Sequence, residues 1–386
     1  MDRRDFMKKA GLAIAAGACA DVAWARPTGG RYDRLLVLIE LKGGNDGLNT
    51  VIPYADSEYY VLRPRIALVR EQVLALDERT GLHPSLEPLL PMWRDRELGI
   101  VQSVGYPSGN LSHFRSIEIW DTASRSDEYL TEGWLARTFT QRPTPPGFVC
   151  DGVVVGDSDM GPLAGSGTRA IALANTTQFL RQSRLAAPAS ASGSAALKHI
   201  LRVEQDIVRA AAGLNGNHAF RTMFPKHAFG VAVQTACQVV ASRAGVPVVR
   251  ISLNGFDTHS NQPALHARLL RELAEGMVAL RQGLTELGRW KSTLAMTYAE
   301  FGRRPRENQS NGTDHGTANV HFVAGGAVRG GLYGLPPALD RLDANGNPPF
   351  AVDFRELYAT ALEKWWGVDS AGPLAGRFRP VEFLRA

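Results

Sequence analysis

Cysteine is scarce in this chain: 386 residues contain three, Cys19, Cys150 and Cys237. None stands in a C-x-x-C or zinc-knuckle spacing, which excludes a thiolate metal site and a dense disulfide framework. Cys150 and Cys237 could pair once in an oxidising compartment, or each could be a small buried apolar residue. For Cys237, inside the helical run 231–244, burial is the reading. No G-x-S-x-G elbow occurs, so the nucleophile turn of α/β-hydrolases is missing. Strong charge of one sign is missing too. The formal net charge is +5 and the basic residues are spread along the chain without interleaved aromatics. That pattern carries no nucleic-acid footprint, although a weak basic excess suits an anionic substrate or an anionic surface polymer. No segment is apolar for long enough to give a stable membrane span; the run 10–20 is too short. No internal repeat of solenoid period is found.

What is present begins with Arg3-Arg4-Asp5-Phe6-Met7-Lys8-Lys9, a twin-arginine pattern. The Ala-rich run 10–20 and the small-x-small triplet Ala23-Trp24-Ala25 follow it. Residues 1–25 therefore read as a twin-arginine signal peptide, with the mature start near Arg26 and the twin-arginine translocon as a partner during export. An ordinary secretory leader is the competing reading. The implied destination is the periplasm or the extracellular space. Proteins exported this way typically fold first, often around a metal or cofactor, which points indirectly to a metal.

The remainder, 26–386, reads as a single α/β domain. Continuous apolar runs at 35–39, 98–103, 148–155, 170–174, 246–253, 293–298 and 320–323 predict strands, most of them covered on both faces. Helical periodicity predicts helices over 85–95, 114–123, 195–212, 262–287 and 353–366, and one over 218–244 interrupted at Pro225. The Ala/Ser-rich stretch around 176–217 reads as a surface insertion with a mobile linker. Strands alternating with helices imply a doubly wound, mostly parallel sheet with helices on both faces.

Three segments following predicted strands carry acids, and two of them carry histidine. Asn45 and Asp46 stand in Gly43-Gly44-Asn45-Asp46-Gly47, after the first strand. Asp257 and His259 follow the strand at 246–253, at a spacing that puts both side chains on one side of an extended loop. Asp314 and His315 stand in a Gly-containing loop after the strand at 293–298. Carboxylate and imidazole together suit a borderline metal such as Zn²⁺, with Mn, Ca or Mg also possible. In an open α/β sheet the edge where strands end is where ligands bind. A fourth segment, Ser112-His113-Phe114-Arg115, enters the helix at 114–123. Ser112 could be an N-cap hydroxyl or a nucleophile, His113 a general base or metal ligand, and Arg115 an anion clamp. Glu300 and Arg303 close the strand at 293–298 and could point into the site. His83 reads as structural, His266 as a surface residue and His321 as a packed core histidine.

The ordered set Gly-Gly-Asn-Asp-Gly-Leu-Asn, Ser-His-Phe, Gly-Phe-Asp-Thr-His-Ser-Asn-Gln, Ala-Glu-Phe-Gly-Arg and Asp-His-Gly-Thr-Ala resembles the DUF1501 family of exported bacterial proteins. Through it the chain resembles the alkaline phosphatase and sulfatase superfamily. That resemblance implies a metal-dependent α/β fold. Asp46, Asp314 and His315 would hold one ion, Asp257 and His259 a second, and Ser112 would stand at the nucleophile's place. His113 or His321 could complete the second ion's shell. The sulfatase Cys-x-Pro-x-Arg pattern is absent, which argues against formylglycine chemistry, and Asp46 lies in the loop after the strand rather than at its end. The implied activity is hydrolysis of a phosphate or sulfate ester, on a small anionic ester or a surface polymer. The alternative is a non-catalytic exported protein of the same fold acting in cell-surface assembly or polymer binding.

Overall fold

The computed structural model describes residues 30–174 and 218–385 except 243, together with 206, 210 and 212–214. The expected leader lies outside the described residues. So do nearly all of the insertion expected around 176–217 and the helix expected over 195–212.

The strands follow in chain order as β1 (Leu35–Lys42), β2 (Val51–Ile52), β3 (Leu74–Ala75), β4 (Gly81–Leu82), β5 (Leu98–Gly105), β6 (Gly152–Val155) and β7 (Ala170–Leu173). After them come β8 (Val248–Asn254), β9 (Thr293–Tyr298), β10 (Gly302–Glu307), β11 (Thr313–Gly316), β12 (Asn319–Ala324), β13 (Gly331–Gly334) and β14 (Val352–Asp353). One large sheet has the order β13-β5-β12-β9-β1-β8-β6-β7, with β14 also paired to β5. All its pairings are parallel except those of β12, which runs antiparallel to both β5 and β9. The fold is thus mixed α/β around a large, mostly parallel sheet.

The apolar run of β1 has a direct physical cause. Leu35, Val37, Ile39 and Leu41 enter one hydrophobic core, while Leu36 and Leu38 enter another. Successive side chains of a strand point to opposite faces, so a strand buried on both faces cannot alternate with polar residues. The helix Gln262–Glu286 covers the first core with Leu269, Leu270, Leu273, Met277, Leu280 and Leu284. Trp365 and Trp366, in the closing helical segment, fill the second.

Several expectations are corrected. The helix expected over 85–95 is a 3₁₀ turn, Pro84–Leu89, followed by one α turn, Leu90–Arg94. Pro88 and Pro91 lack the N–H that a continuous α-helix needs. The helix expected over 218–244 is confined to Ala228–Ala241, beyond Pro225, with His227 accepting from the Gly230 N–H at its start. The polar segment after Glu300 is the strand β10, so Asp314 and His315 lie on its antiparallel partner β11 rather than in a loop. Cys150 and Cys237 are free and buried, and burial pushes both thiols up to about 12. Among the described residues, no helix is long and apolar enough to cross a membrane.

Three histidines are buried as neutral rings. Burial lowers His83 to about 4, and His266 and His321 to about 3. In the unfolded chain each takes a proton near pH 6.5. The folded state therefore holds its full advantage above that pH and loses it as the pH falls toward 3–4. The loss should be about 1.4 kcal/mol per pH unit for each ring between about pH 6 and 4. Urea midpoints measured from pH 7.5 to 4.5 should fall steeply, and His321→Leu should make the fall shallower. An unchanged slope in that variant would remove His321 from the account.

Candidate metal centre

The sheet brings the chemistry to one edge. β1, β8 and β9 are neighbours and parallel, so the loops after Lys42, Asn254 and Tyr298 leave together. The antiparallel β12 begins at that edge, and the β10–β11 ribbon just before it delivers Asp314 and His315. The loop after β5 leads to the same edge and into the helix His113–Thr122. Gly43 makes the approach possible. Its φ is +109°, and a Cβ there would stand 2.3 Å from the Asp257 backbone nitrogen. Only glycine tolerates both conditions.

At the edge, three imidazoles converge on one carboxylate. His259 Nε2 is 3.0 Å and His315 Nε2 3.2 Å from Asp257 Oδ1, and His113 Nε2 is 3.4 Å from Asp257 Oδ2. His259 Nε2 and His315 Nε2 are 2.9 Å apart. The other nitrogen of each ring meets an acceptor. His113 Nδ1 is 2.9 Å from Glu300 Oε1, His315 Nδ1 is 2.8 Å from the Leu111 carbonyl, and His259 Nδ1 is 3.3 Å from Asp314 Oδ1. An acceptor opposite Nδ1 requires the proton on Nδ1, so in the neutral ring Nε2 carries the lone pair. With neutral rings, three Nε2 lone pairs and a carboxylate then face one another, and the donor that reaches them is Arg303, whose Nη1 is 3.5 Å from His259 Nε2. This donor set fits a cation, and imidazoles oriented by carboxylates and carbonyls are the usual surroundings of a metal. Arg303 adds a fixed positive charge, with Nη2 2.6 Å from Asp257 Oδ1. Against the pull of burial, that contact holds the Asp257 carboxyl down to about 2. Burial also lowers His315, keeping its ring neutral.

The family model described as "Protein of unknown function (DUF1501)" matches residues 78–374, well over half of the chain. The chain belongs to the DUF1501 family. No curated protein matches it. Among solved structures, it is similar to a protein in the alkaline phosphatase superfamily from Vibrio parahaemolyticus, at 10% identity and a TM-score of 0.35, covering 89% of this chain and 69% of that one. It is also similar to the lipoteichoic acid synthase LtaP from Listeria monocytogenes, at 8% identity and a TM-score of 0.35, covering 82% and 69%. A third is the alkaline phosphatase from the Antarctic bacterium TAB5, at 12% identity and a TM-score of 0.35, covering 78% and 94%. Likeness this distant carries no argument about residues, so the chemistry of this DUF1501 protein is argued from its own geometry.

That geometry redistributes the roles expected from the sequence. Asp257, His259 and His315 meet, and His113 joins them as a possible ligand rather than a base. Asp314 stands one step back: its Oδ1 faces His259 Nδ1 and accepts from Asn308 Nδ2 at 3.2 Å. Glu300 likewise orients His113 and also accepts from the Gly43 N–H at 2.9 Å. Asp46 is not at the centre. It is buried, and Arg63 clasps both of its oxygens, at 2.6 and 2.9 Å. Asn45 is buried beneath it and accepts from His266 Nε2 at 2.9 Å, so His266 is a core residue and not a surface one.

Arg115 is no anion clamp. Its guanidinium donates to the carbonyls of Arg125, Ser126 and Glu128, pairs with Glu118 at 2.9 Å and stacks 3.9 Å over Tyr129. Arg303 is buried, and its donors go to Asp257, to the carbonyls of Gly43, Gly44, Phe256 and Thr313, and at 3.5 Å to His259 Nε2, so it holds the carboxylate rather than reaching for substrate. Ser112 is exposed at the start of the helix and makes no side-chain capping bond. No motif marks Arg63, and Gln262, which closes the segment 255–262, carried no expected role.

Removing the orienting acceptor Glu300 tests the arrangement. Glu300→Ala should weaken metal binding about 10–100-fold. Glu300→Gln, which keeps an oxygen for His113 Nδ1, should recover most of the loss. Isothermal titration with Zn²⁺ measures both, and unchanged affinity in Glu300→Ala would show that His113 needs no orienting partner.

Proposed function

We propose that this DUF1501 protein is an exported, metal-dependent hydrolase of phosphate or sulfate esters. The observation that carries the reading is the convergence of His113, His259 and His315 Nε2 on Asp257, each ring held by an acceptor at Nδ1. His113, His259, His315 and Asp257 would hold the ion. Imidazole-rich donors favour Zn, with Mn, Ca or Mg as the remaining options. When bound, the ion supplies Lewis acidity toward the ester oxygens. The chain's own groups do the rest. Arg303 fixes Asp257, Glu300 and Asp314 keep protons on the outer nitrogens of His113 and His259, and the Leu111 carbonyl does so for His315. Ser112, whose hydroxyl is spent on no cap, or a water is the nucleophile. Residues 1–25 would carry the chain to the periplasm or beyond by the twin-arginine route. Residues 26–386 would form one doubly wound domain with the insertion at its surface.

The test is turnover of 4-nitrophenyl phosphate and 4-nitrophenyl sulfate by protein purified without chelator. Activity on one of them, abolished by chelation and restored by adding metal back, is the expected result. Metal bound with no turnover of either ester would favour the non-catalytic reading, a surface-assembly or polymer-binding protein.

A further inference from the structure

We infer that the centre takes one divalent cation rather than the two implied by the resemblance, because Asp46, a carboxylate the other ion would need, is already paired with the buried guanidinium of Arg63. The inference rests on the metal reading above and concerns how many ions the site can accept. Two ions need two sets of unspent donors. The three Nε2 atoms and Asp257 are one such set. The other was expected from Asp46, Asp314 and His315, and those three do not converge. His315 Nε2 faces Asp257, and Asp314 serves His259 and Asn308.

Asp46 is spent entirely. Arg63 Nη1 donates to Oδ2 at 2.6 Å and Nη2 to Oδ1 at 2.9 Å, while Gln262 Nε2 donates to Oδ2 at 2.5 Å. Both side chains of the ion pair are 0% exposed. Gln262 cannot be turned round, because its Oε1 accepts the hydroxyls of Thr258 at 2.9 Å and Thr313 at 2.6 Å. Arg63 cannot swing away cheaply. Its Nε donates to the Pro305 carbonyl at 2.7 Å, and its Nη atoms also donate to Asn49 Oδ1 at 2.7 Å and the Arg304 carbonyl at 3.2 Å. Although burial favours the neutral acid, Arg63 holds the Asp46 carboxyl below the ordinary carboxylate range. The charge an ion would neutralise at Asp46 is therefore already neutralised. Any second cation would also face the fixed positive charge of Arg303 at Asp257. Among the described residues, the acids, histidines and cysteines form one group close enough to hold an ion, His113, Asp257 and His315, and His259 stands beside it with Nε2 3.0 Å from Asp257 Oδ1.

The experiment is metal counting on the full chain. The protein is stripped with a chelator and titrated with Co²⁺, following the visible absorption, and the Zn²⁺ content of the reloaded protein is measured by mass spectrometry. One break at one equivalent is expected, with one Zn²⁺ per chain. Asp46→Leu/Arg63→Met, which removes the pair without stranding a charge, should keep that single equivalent and the same cobalt spectrum. Two equivalents in the parent would overturn the inference and leave the metal reading standing. Loss of an equivalent in the folded double variant would overturn it too. Zero equivalents in the parent would overturn the metal reading itself. If the double variant fails to fold, the parent's break point alone decides.

Discussion

Asp257→Ala should empty the centre of metal and abolish ester turnover together. Asp257 Oδ1 is met by His259 Nε2, by His315 Nε2 and by Arg303 Nη2 at 3.0, 3.2 and 2.6 Å. Its removal subtracts the single anion of the cluster. What remains is a buried, permanently charged Arg303 facing three imidazoles, and an incoming dication would meet that charge uncompensated. The loss should exceed the about 10–100-fold typical of outer partners such as Glu300. Asp257→Asn keeps the shape and loses the charge, so it should fail nearly as badly. Metal content and turnover would be measured on the same preparations, with circular dichroism to check the fold. Stoichiometric metal in a folded Asp257→Ala protein would locate the ion elsewhere.

Arg63→Ala should be among the most destabilising substitutions in the chain. It leaves the Asp46 carboxylate buried with Gln262 as its remaining donor, and breaking a buried ion pair from one side costs about 3–5 kcal/mol. It also releases the carbonyls of Arg304 and Pro305, and with them the strand β10 that pairs with β11. Replacing both partners by apolar residues of similar volume should recover most of that loss, since neither charge is then stranded. Urea unfolding of Arg63→Ala, Asp46→Leu and Asp46→Leu/Arg63→Met separates these outcomes. A double variant no better than Arg63→Ala would mean that the guanidinium's backbone contacts, rather than the pair, hold the region.

The parts that were legible in the sequence are those whose cause is local. β1, β8 and β9 announce themselves because burial on both faces makes the runs mostly apolar, and the two buried charges within them, Glu40 and Arg250, pair with each other. Asp257 and His259 are two residues apart, and Asp314 and His315 are adjacent, so their proximity is built into the chain. Legibility stops where a role depends on a distant partner. Nothing in Ser-His-Phe says whether His113 is a base or a ligand; the Glu300 carboxylate on its Nδ1 decides that, 187 residues away. Nothing around Asp46 announces Arg63, which follows the short helix Ser57–Leu62 in an irregular segment. The strand β10 was hidden because its sequence, Gly-Arg-Arg-Pro-Arg-Glu, has no apolar alternation. The direction of β12 was hidden because an apolar run carries no sense of direction.

The distances along the chain between the partners at this edge also order events in time. Gly43 meets Glu300 across 257 residues, Leu111 meets His315 across 204, and Arg303 meets Gly44 across 259. Contacts of such separation form late, because loop closure must be completed before they return anything. A metal ion can therefore neither nucleate nor guide the early collapse. It enters a chain whose sheet is already closed, so the apoprotein should be a folded, long-lived species. The identity of the ion is then set by what the surroundings offer when the last segments dock, which makes the compartment of folding a determinant of the metal carried.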